Sequence, residues 1–167
     1  GGAKNDIIAG LSIASDDNVY VVGGTNSKDL RVSFKEALFN SLPADKGLYM
    51  PNSIPVLDPE FIRDLHSFSL AEIAFRVAKN ILDGDIPDQD LKRIITDAIN
   101  FDAPVVKLED QVHVLELFHG PSLAFKDFGA RFMSRVMNYY LHAGEKELNV
   151  LVATSGDTGG AVALGFL

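Results

Sequence analysis

The chain has 167 residues, a formal net charge of −8 and no cysteine, and 47% of its residues are hydrophobic. This apolar fraction is ordinary for a packed globular protein, and no run approaches the roughly 18 apolar residues of a membrane span. The lack of cysteine excludes disulfides and cysteine-ligated metal, and it fits a cytoplasmic protein. The negative charge disfavours nucleic acid as a partner. We therefore expect a cytoplasmic globular protein without a nucleic-acid or membrane partner.

Two short apolar runs near the amino terminus, at 11–14 and 19–22, have the pattern of a β-hairpin. The turn residues 16–18 lie between them, and a Gly-Gly pair follows the second run. Residues 1–25 resemble a single repeat of a β-propeller, and one such repeat cannot bury its faces without neighbouring repeats. We therefore expect 1–27 to be a foreign or atypical hairpin leader, with a lineage-specific extension as the alternative.

Helix-start signals dominate the next part of the chain. Each pairs a capping side chain with an acid or a proline in the first turn. They are Ser33 with Glu36, Asp58 with Pro59, and Ser69 with Glu72. Two apolar stripes at helical spacing follow: Leu70, Ile73, Ala74, Val77 and Ile81, and then Leu91, Ile94, Ile95 and Ala98. We therefore predict a small helical domain over 28–105.

The pattern changes to alternating strands and helices after residue 105. An apolar run at 112–117 predicts a strand, 126–141 predicts a helix, and the apolar run 148–153 predicts a buried strand. Residues 154–158 then turn into a glycine-containing helix start. A strand, a helix and a strand in succession indicate an α/β unit with a parallel sheet. We expect 106–167 to be the start of such a domain. Because the chain begins with Gly1 and ends at Leu167, a few residues into the last predicted helix, it also reads as a fragment.

Lys126 directly follows Phe125 in the run Leu-Glu-Leu-Phe-His-Gly-Pro-Ser-Leu-Ala-Phe-Lys-Asp-Phe-Gly, residues 115–129. A lysine held among apolar groups loses its proton more easily, because burial penalises the charged ammonium. A neutral amine can attack a carbonyl, as a Schiff-base lysine must. The ordinary alternative is an exposed lysine at a helix start.

The run 115–129 resembles the cofactor-lysine motif of threonine synthases, which are pyridoxal-phosphate (PLP) enzymes of the tryptophan-synthase-β-like superfamily. The run 153–163, Ala-Thr-Ser-Gly-Asp-Thr-Gly-Gly-Ala-Val-Ala, is similar to that family's substrate-carboxylate loop. The resemblance covers about 28–167 and departs at Lys46, where the family usually has glycine. It implies a helical amino-terminal domain followed by the start of a PLP-dependent fold type II α/β domain, truncated.

The resemblance also implies roles for individual residues. Lys126 would hold PLP as a Schiff base, next to Phe125, and Asp157 would lie near the cofactor's ring hydroxyl. The loop that would hold the substrate's α-carboxylate consists of Thr154, Ser155, Gly156, Asp157 and Thr158. His119 titrates near neutral pH and is a further candidate for proton transfer or phosphate binding, although a structural role is more usual. Asp127 is a candidate acid, or a carboxylate favoured by the dipole of the helix start.

The implied activity is the conversion of O-phospho-L-homoserine and water to L-threonine and phosphate, by a PLP-dependent carbon–oxygen lyase. In the family, the loop for the cofactor's phosphate and the partner of its pyridine nitrogen lie downstream of these residues. We therefore expect the chain by itself to be inactive and to bind PLP poorly. Two alternatives remain: another fold type II PLP lyase or dehydratase, and a non-enzymatic β-propeller repeat fusion. No metal site is expected, and oligomeric state and regulation are open.

Overall fold

The computed structural model describes residues 32–41, 43, 44, 46–51, 53–82, 84–141 and 148–167, and the backbone of 11–13 and 19–21. The described strands are Leu11–Ile13 (β1), Val19–Val21 (β2), Val105–Glu109 (β3) and Val112–Leu115 (β4). The described helices are Phe34–Asn40 (α1), Pro59–Arg63 (α2), Leu70–Leu82 (α3), Asp88–Ala98 (α4), Asp127–Tyr140 (α5) and Asp157–Phe166 (α6), with a 3₁₀ turn at Leu65–Ser67.

The chain divides into two compact units, Gly1–Met50 and Pro51–Leu167. In the first unit, β1 pairs antiparallel with β2, with Leu11 opposite Val21, which confirms the predicted hairpin pairing. The turn residues 16–18 and the rest of the predicted leader lie outside the described residues.

Helix α1 begins where its capping side chain predicts. The Ser33 hydroxyl oxygen accepts a hydrogen bond from the Glu36 backbone N–H at 3.1 Å. Lys46, farther along the same unit, has a φ of 64°, in the left-handed region where a side chain is strained. Glycine adopts that region without penalty, so the position where this chain departs from the family's usual glycine is one that favours glycine.

The helix starts of the second unit follow the predicted caps. Asp58 accepts from the Glu60 N–H at 2.9 Å, and Pro59 occupies the first helical turn of α2. At α3 the capping box is complete: Glu72 accepts from the Ser69 N–H at 2.8 Å, and the Ser69 hydroxyl oxygen accepts from the Glu72 N–H at 3.3 Å. These contacts span two or three residues, which is why sequence alone locates them.

Helix α5 is central to the second unit, because it packs against α4 and against α6. The predicted apolar stripe of α4 is buried in full. On α5, Val136 and Tyr140 are buried as predicted, whereas Phe128 and Phe132 are half-buried. Burial raises the pKa of the Tyr140 phenol. The core side chains of this unit are Phe61, Leu82, Ile86, Leu91, Ile94, Ile95, Ala98, Ala130, Val136, Tyr140, Ala161 and Val162.

Two of the sequence predictions for packing and strands are wrong in detail. The predicted stripe of α3 includes Ile81, but Ile81 is exposed and the neighbouring Leu82 is buried. The prediction also missed β3, which pairs antiparallel with β4, with Val105 opposite Leu115. β3 has exposed side chains along its whole length, as β4 does.

The predicted strand at 148–153 is not formed in the described part of the chain. The backbone there makes no strand pairing, and Leu151 is 95% exposed. The strand pairs of the described residues are both antiparallel, whereas a parallel sheet was predicted. A parallel strand is defined by hydrogen bonds to neighbouring strands, and an apolar run cannot form such a strand without them.

Candidate functional site

Lys126 lies at the junction between a polar turn and α5. It precedes the first residue of the helix, and its carbonyl oxygen accepts the Ala130 N–H at 2.9 Å. Its Nζ lies 4.2 Å from the centre of the Phe125 ring, a cation–π distance. Lys126 is half-buried, whereas Phe125 is 59% exposed. Among the described residues no carboxylate forms an ion pair with Lys126.

The turn before Lys126 closes on a buried carboxylate. Asp127, the first residue of α5, has no solvent exposure. It accepts hydrogen bonds from the Ser122 backbone N–H at 2.8 Å and from the Ser122 hydroxyl at 2.7 Å. A Cβ at Gly120 would lie 2.7 Å from the Asp127 Cβ, so this position admits only glycine. The turn also contains Leu123 in the left-handed region, with a φ of 59°.

His119 lies on the exposed side of the same turn. Its Nε2 is 2.7 Å from a carboxylate oxygen of Glu116, and its ring stacks on Phe118 with the two ring centres 4.8 Å apart. A carboxylate partner on one ring nitrogen orients the imidazole and leaves the other nitrogen, Nδ1, for a proton or a ligand. The sequence motif pointed to His119 but not to its partner Glu116.

The second predicted site segment forms the start of α6. Gly156 has a φ of 138°, a conformation open to glycine and rarely to other residues. The Thr154 hydroxyl oxygen accepts the N–H groups of Gly156 at 2.8 Å and Gly159 at 3.2 Å. Thr154 therefore caps this helix. Ser155 and Asp157 are exposed and Thr158 is half-buried at the same helix start.

The packing of α5 on α6 brings the two predicted segments to one end of a helix pair. Ala130, one turn into α5, clusters with Ala161 and Val162, one turn into α6. Farther along both helices, the Arg135 guanidinium donates to the Gly165 carbonyl oxygen at 2.7 Å. Ala161 and Val162 cluster with Ala130, whereas Gly165 comes close to Ala130, Ser134 and Arg135. The contacts on α5 thus advance as those on α6 advance, so the two helices run in broadly the same direction. Lys126 and the turn 154–158 therefore lie at the same end of this pair.

Close approach of the two helices depends on small residues. A Cβ at Gly165 would lie 3.1 Å from the Ala130 carbonyl oxygen and 3.4 Å from the Ser134 hydroxyl oxygen. Sequence analysis did not select Ser134 or Arg131 of α5, which are buried polar residues. Polar side chains are usually exposed, so periodicity alone does not mark them as interior.

Among the residues that the structure describes, no helix has the length and apolar character needed to cross a membrane. Within the same residues, no three His, Cys, Asp or Glu side chains lie together as metal ligands would.

Residues 23–99 match the family model described as the threonine synthase N terminus. Threonine synthase from Haemophilus influenzae is 40% identical over 136 residues, which cover 81% of this chain and 31% of that protein. The chain thus spans about a third of the length of the curated relatives it matches. The resemblance of the leader to a β-propeller repeat finds no support in these matches.

Solved structures of threonine synthases have the same fold as this chain. The enzyme from Escherichia coli superposes with a TM-score of 0.74 at 38% identity, covering 81% of this chain and 31% of that chain. A PLP-bound threonine synthase from Brucella melitensis gives a TM-score of 0.75 at 38% identity, covering 81% and 30%. These similarities confirm the predicted α/β fold class. In each of these two enzymes the similarity extends over about a third of the length.

Proposed function

We propose that this chain is the amino-terminal part of a threonine synthase. The whole protein would convert O-phospho-L-homoserine and water to L-threonine and phosphate. The observation that carries the proposal is the position of Lys126 at the start of α5, at the same end of the α5–α6 pair as the turn 154–158. Identities of 38–40% to threonine synthases over four fifths of the chain support it.

The side chains at this end fit a PLP cofactor. The Lys126 amine has no ion-pair partner among the described residues and rests against the exposed ring of Phe125. We propose that Lys126 holds PLP through Nζ, that Phe125 contacts it, and that Asp157 lies near its ring hydroxyl. When bound, PLP supplies an electron sink for carbanion chemistry at the substrate. The freed Lys126 amine would then move protons at the substrate's α and β carbons.

The start of α6 would hold the substrate's carboxylate. Backbone N–H groups at a helix start attract anions, and the helix dipole adds to the attraction. Because Thr154 already accepts from Gly156 and Gly159, its hydroxyl keeps the turn in shape. The donors left for a carboxylate are the hydroxyls of Ser155 and Thr158 and the N–H groups of Asp157 and Thr158. We propose this division of roles within the loop Thr154, Ser155, Gly156, Asp157 and Thr158.

His119 is a proposed auxiliary group. Its contact with Glu116 orients the ring, which suits proton transfer or binding of the leaving phosphate. We also propose the domain division predicted from sequence, with a leader at 1–27, a helical domain at 28–105 and the start of the PLP-binding domain at 106–167. A cytoplasmic location, a small-molecule substrate as the partner, and inactivity of this chain by itself belong to the same proposal.

Borohydride trapping tests the central assignment. The longer protein is incubated with PLP, the lysine–PLP bond is reduced to a stable amine, and the labelled peptides are identified by mass spectrometry. We expect label on Lys126 to exceed label on the exposed Lys92 and Lys107, and Lys126→Arg to lose that label alone. Even labelling of all three lysines would overturn the assignment.

The substrate assignment is tested separately in the longer protein. Phosphate release and threonine formation from O-phospho-L-homoserine are compared with turnover of serine and threonine. Turnover of serine or threonine alone would favour the alternative, another fold type II lyase or dehydratase. Threonine formation by the isolated 167-residue chain would contradict its proposed inactivity.

A further inference from the structure

Asp127 is a fully buried acid that the proposed chemistry does not use. It directly follows Lys126 and opens α5, where the helix dipole favours a negative charge. Its two carboxylate oxygens point back along the chain, one to the Ser122 N–H and the other to the Ser122 hydroxyl. A buried carboxylate that accepts hydrogen bonds at 2.7 and 2.8 Å makes contacts stronger than those between neutral groups.

The chain between Ser122 and Asp127 has little freedom once these bonds form. The Leu123 N–H donates to the Gly120 carbonyl oxygen at 3.0 Å, and the Asp127 N–H donates to the Ala124 carbonyl oxygen at 3.1 Å. The Asp127 side chain fills the space where a Cβ of Gly120 would stand. The carboxylate therefore joins the two turns into one closed loop, and Lys126 belongs to that loop.

We propose that Asp127 is a positioning residue for Lys126, acting through Ser122. The Asp127–Ser122 hydrogen bonds hold the loop in one conformation. That conformation fixes the orientation of the Lys126 backbone at the start of α5. Without them the loop opens and the amine samples positions away from the aldehyde it must attack. This inference rests on the proposed function of Lys126. It goes beyond that function because it assigns a positioning role to Asp127 and Ser122.

The test uses the longer protein, of which this chain is the proposed amino-terminal part, with Asp127→Asn, Ser122→Ala and the double variant. Asparagine keeps the size of aspartate, but it has no charge and replaces one of the two acceptor oxygens by an NH₂ group, so the two hydrogen bonds from Ser122 cannot both be kept as they are. Asp110→Asn is the matched control, since Asp110 is an exposed residue paired with Lys107. Ser122→Thr keeps the hydroxyl and should behave as the wild type. Far-UV circular dichroism verifies that each variant is folded.

Two measurements separate positioning from a role in folding alone. Hydrogen exchange of the Ser122 amide reports on the loop directly and needs no cofactor. The rate of borohydride trapping of PLP at Lys126, relative to the exposed Lys92 in the same molecules, measures how well the Lys126 amine is positioned. For Asp127→Asn we expect faster exchange and a relative trapping rate at least about tenfold lower, since small misplacements of a reacting group cost large factors in rate.

The double variant gives the sharpest outcome. If Asp127 acts through Ser122, loss of the Ser122 hydroxyl should slow trapping less in the Asp127→Asn background than in the wild type, because the two changes weaken the same contact and their effects are then less than additive. Unchanged exchange and trapping in Asp127→Asn would overturn the inference, as would fully additive effects. If Asp127→Asn does not fold, Ser122→Ala against Ser122→Thr gives the same comparison. A wild-type chain without selective trapping would overturn the proposed function instead, and the exchange data would still test the loop.

Discussion

Arg131 of α5 donates from Nε to the carbonyl oxygen of Ala98, the last residue of α4, at 2.8 Å. The same guanidinium donates to the Asp97 carbonyl oxygen at 2.8 Å and to the Asn100 side chain at 3.1 Å. The last carbonyls of a helix have no partner within it, so Arg131 satisfies groups that the end of α4 leaves open. It also ties the helix that follows Lys126 to α4.

Arg131→Ala should destabilise the chain. Hydrogen bonds to a charged group contribute about 1.5–3 kcal/mol, and the change leaves buried carbonyls without donors, so we expect a loss of about 2–3 kcal/mol in the free energy of unfolding. Urea unfolding followed by circular dichroism measures the loss. Arg93→Ala, which removes an exposed ion pair with Asp90, serves as control and should cost less than about 1 kcal/mol. Equal effects of the two changes would contradict the assigned role of Arg131.

Gly165→Ala should weaken the packing of α6 on α5. The new methyl group would meet the Ala130 carbonyl oxygen at 3.1 Å, and overpacking of this kind typically costs about 1–3 kcal/mol. Gly160→Ala, in the same helix, is the matched control because nothing lies within 4 Å of its added Cβ. Alanine is the better helix former, so the control should gain up to about 1 kcal/mol. A thermal melt that ranks Gly165→Ala at or above the wild type would refute the close approach.

Thr154→Val should loosen the start of α6. The change keeps the shape of the side chain and removes the oxygen that accepts the Gly156 and Gly159 N–H groups. Loss of a cap costs about 1 kcal/mol, and hydrogen exchange at these two amides should become faster. Thr154→Ser retains the hydroxyl and should preserve the slow exchange. Identical exchange in Thr154→Val and the wild type would mean that Thr154 does not cap the helix.

The stability of α3 should depend on pH through the titration of Glu72. Hydrogen bonds from the Ser69 hydroxyl and the Ser69 N–H hold the pKa of Glu72 below its usual value. A carboxyl whose pKa is lower in the folded chain stabilises it above the unfolded pKa, and that contribution disappears as pH falls through the folded pKa. Between about pH 6 and about pH 3, a range that spans ordinary glutamate titration, Glu72→Gln should therefore lose less stability than the wild type.

Urea midpoints across that pH range measure the difference for Glu72. Glu109→Gln, a change of an exposed strand residue, is the control and should follow the wild-type pH dependence. Parallel curves for Glu72→Gln and the wild type would show that the capping box does not contribute to the acid dependence.

Local features of this chain could be read from its sequence because their contacts are short in range. The caps at Ser33, Asp58 and Ser69 join groups two or three residues apart, so residue type and spacing suffice. The buried stripe of α4 follows from its apolar spacing. The helix starts predicted in the two motif runs likewise formed, with α5 beginning at Asp127 and α6 at Asp157.

Tertiary structure decided how those local features contact one another. Arg131 contacts Ala98, 33 residues away in the chain, and Arg135 contacts Gly165, 30 residues away. No local sequence pattern encodes a partner at that distance. Whether Asp127 faces solvent or closes on Ser122 depends on how the preceding turn folds back. The run 148–153 also shows that a local sequence pattern does not determine tertiary structure. Its apolar residues specify a preference for burial, but a strand exists only where neighbouring backbone supplies its hydrogen bonds.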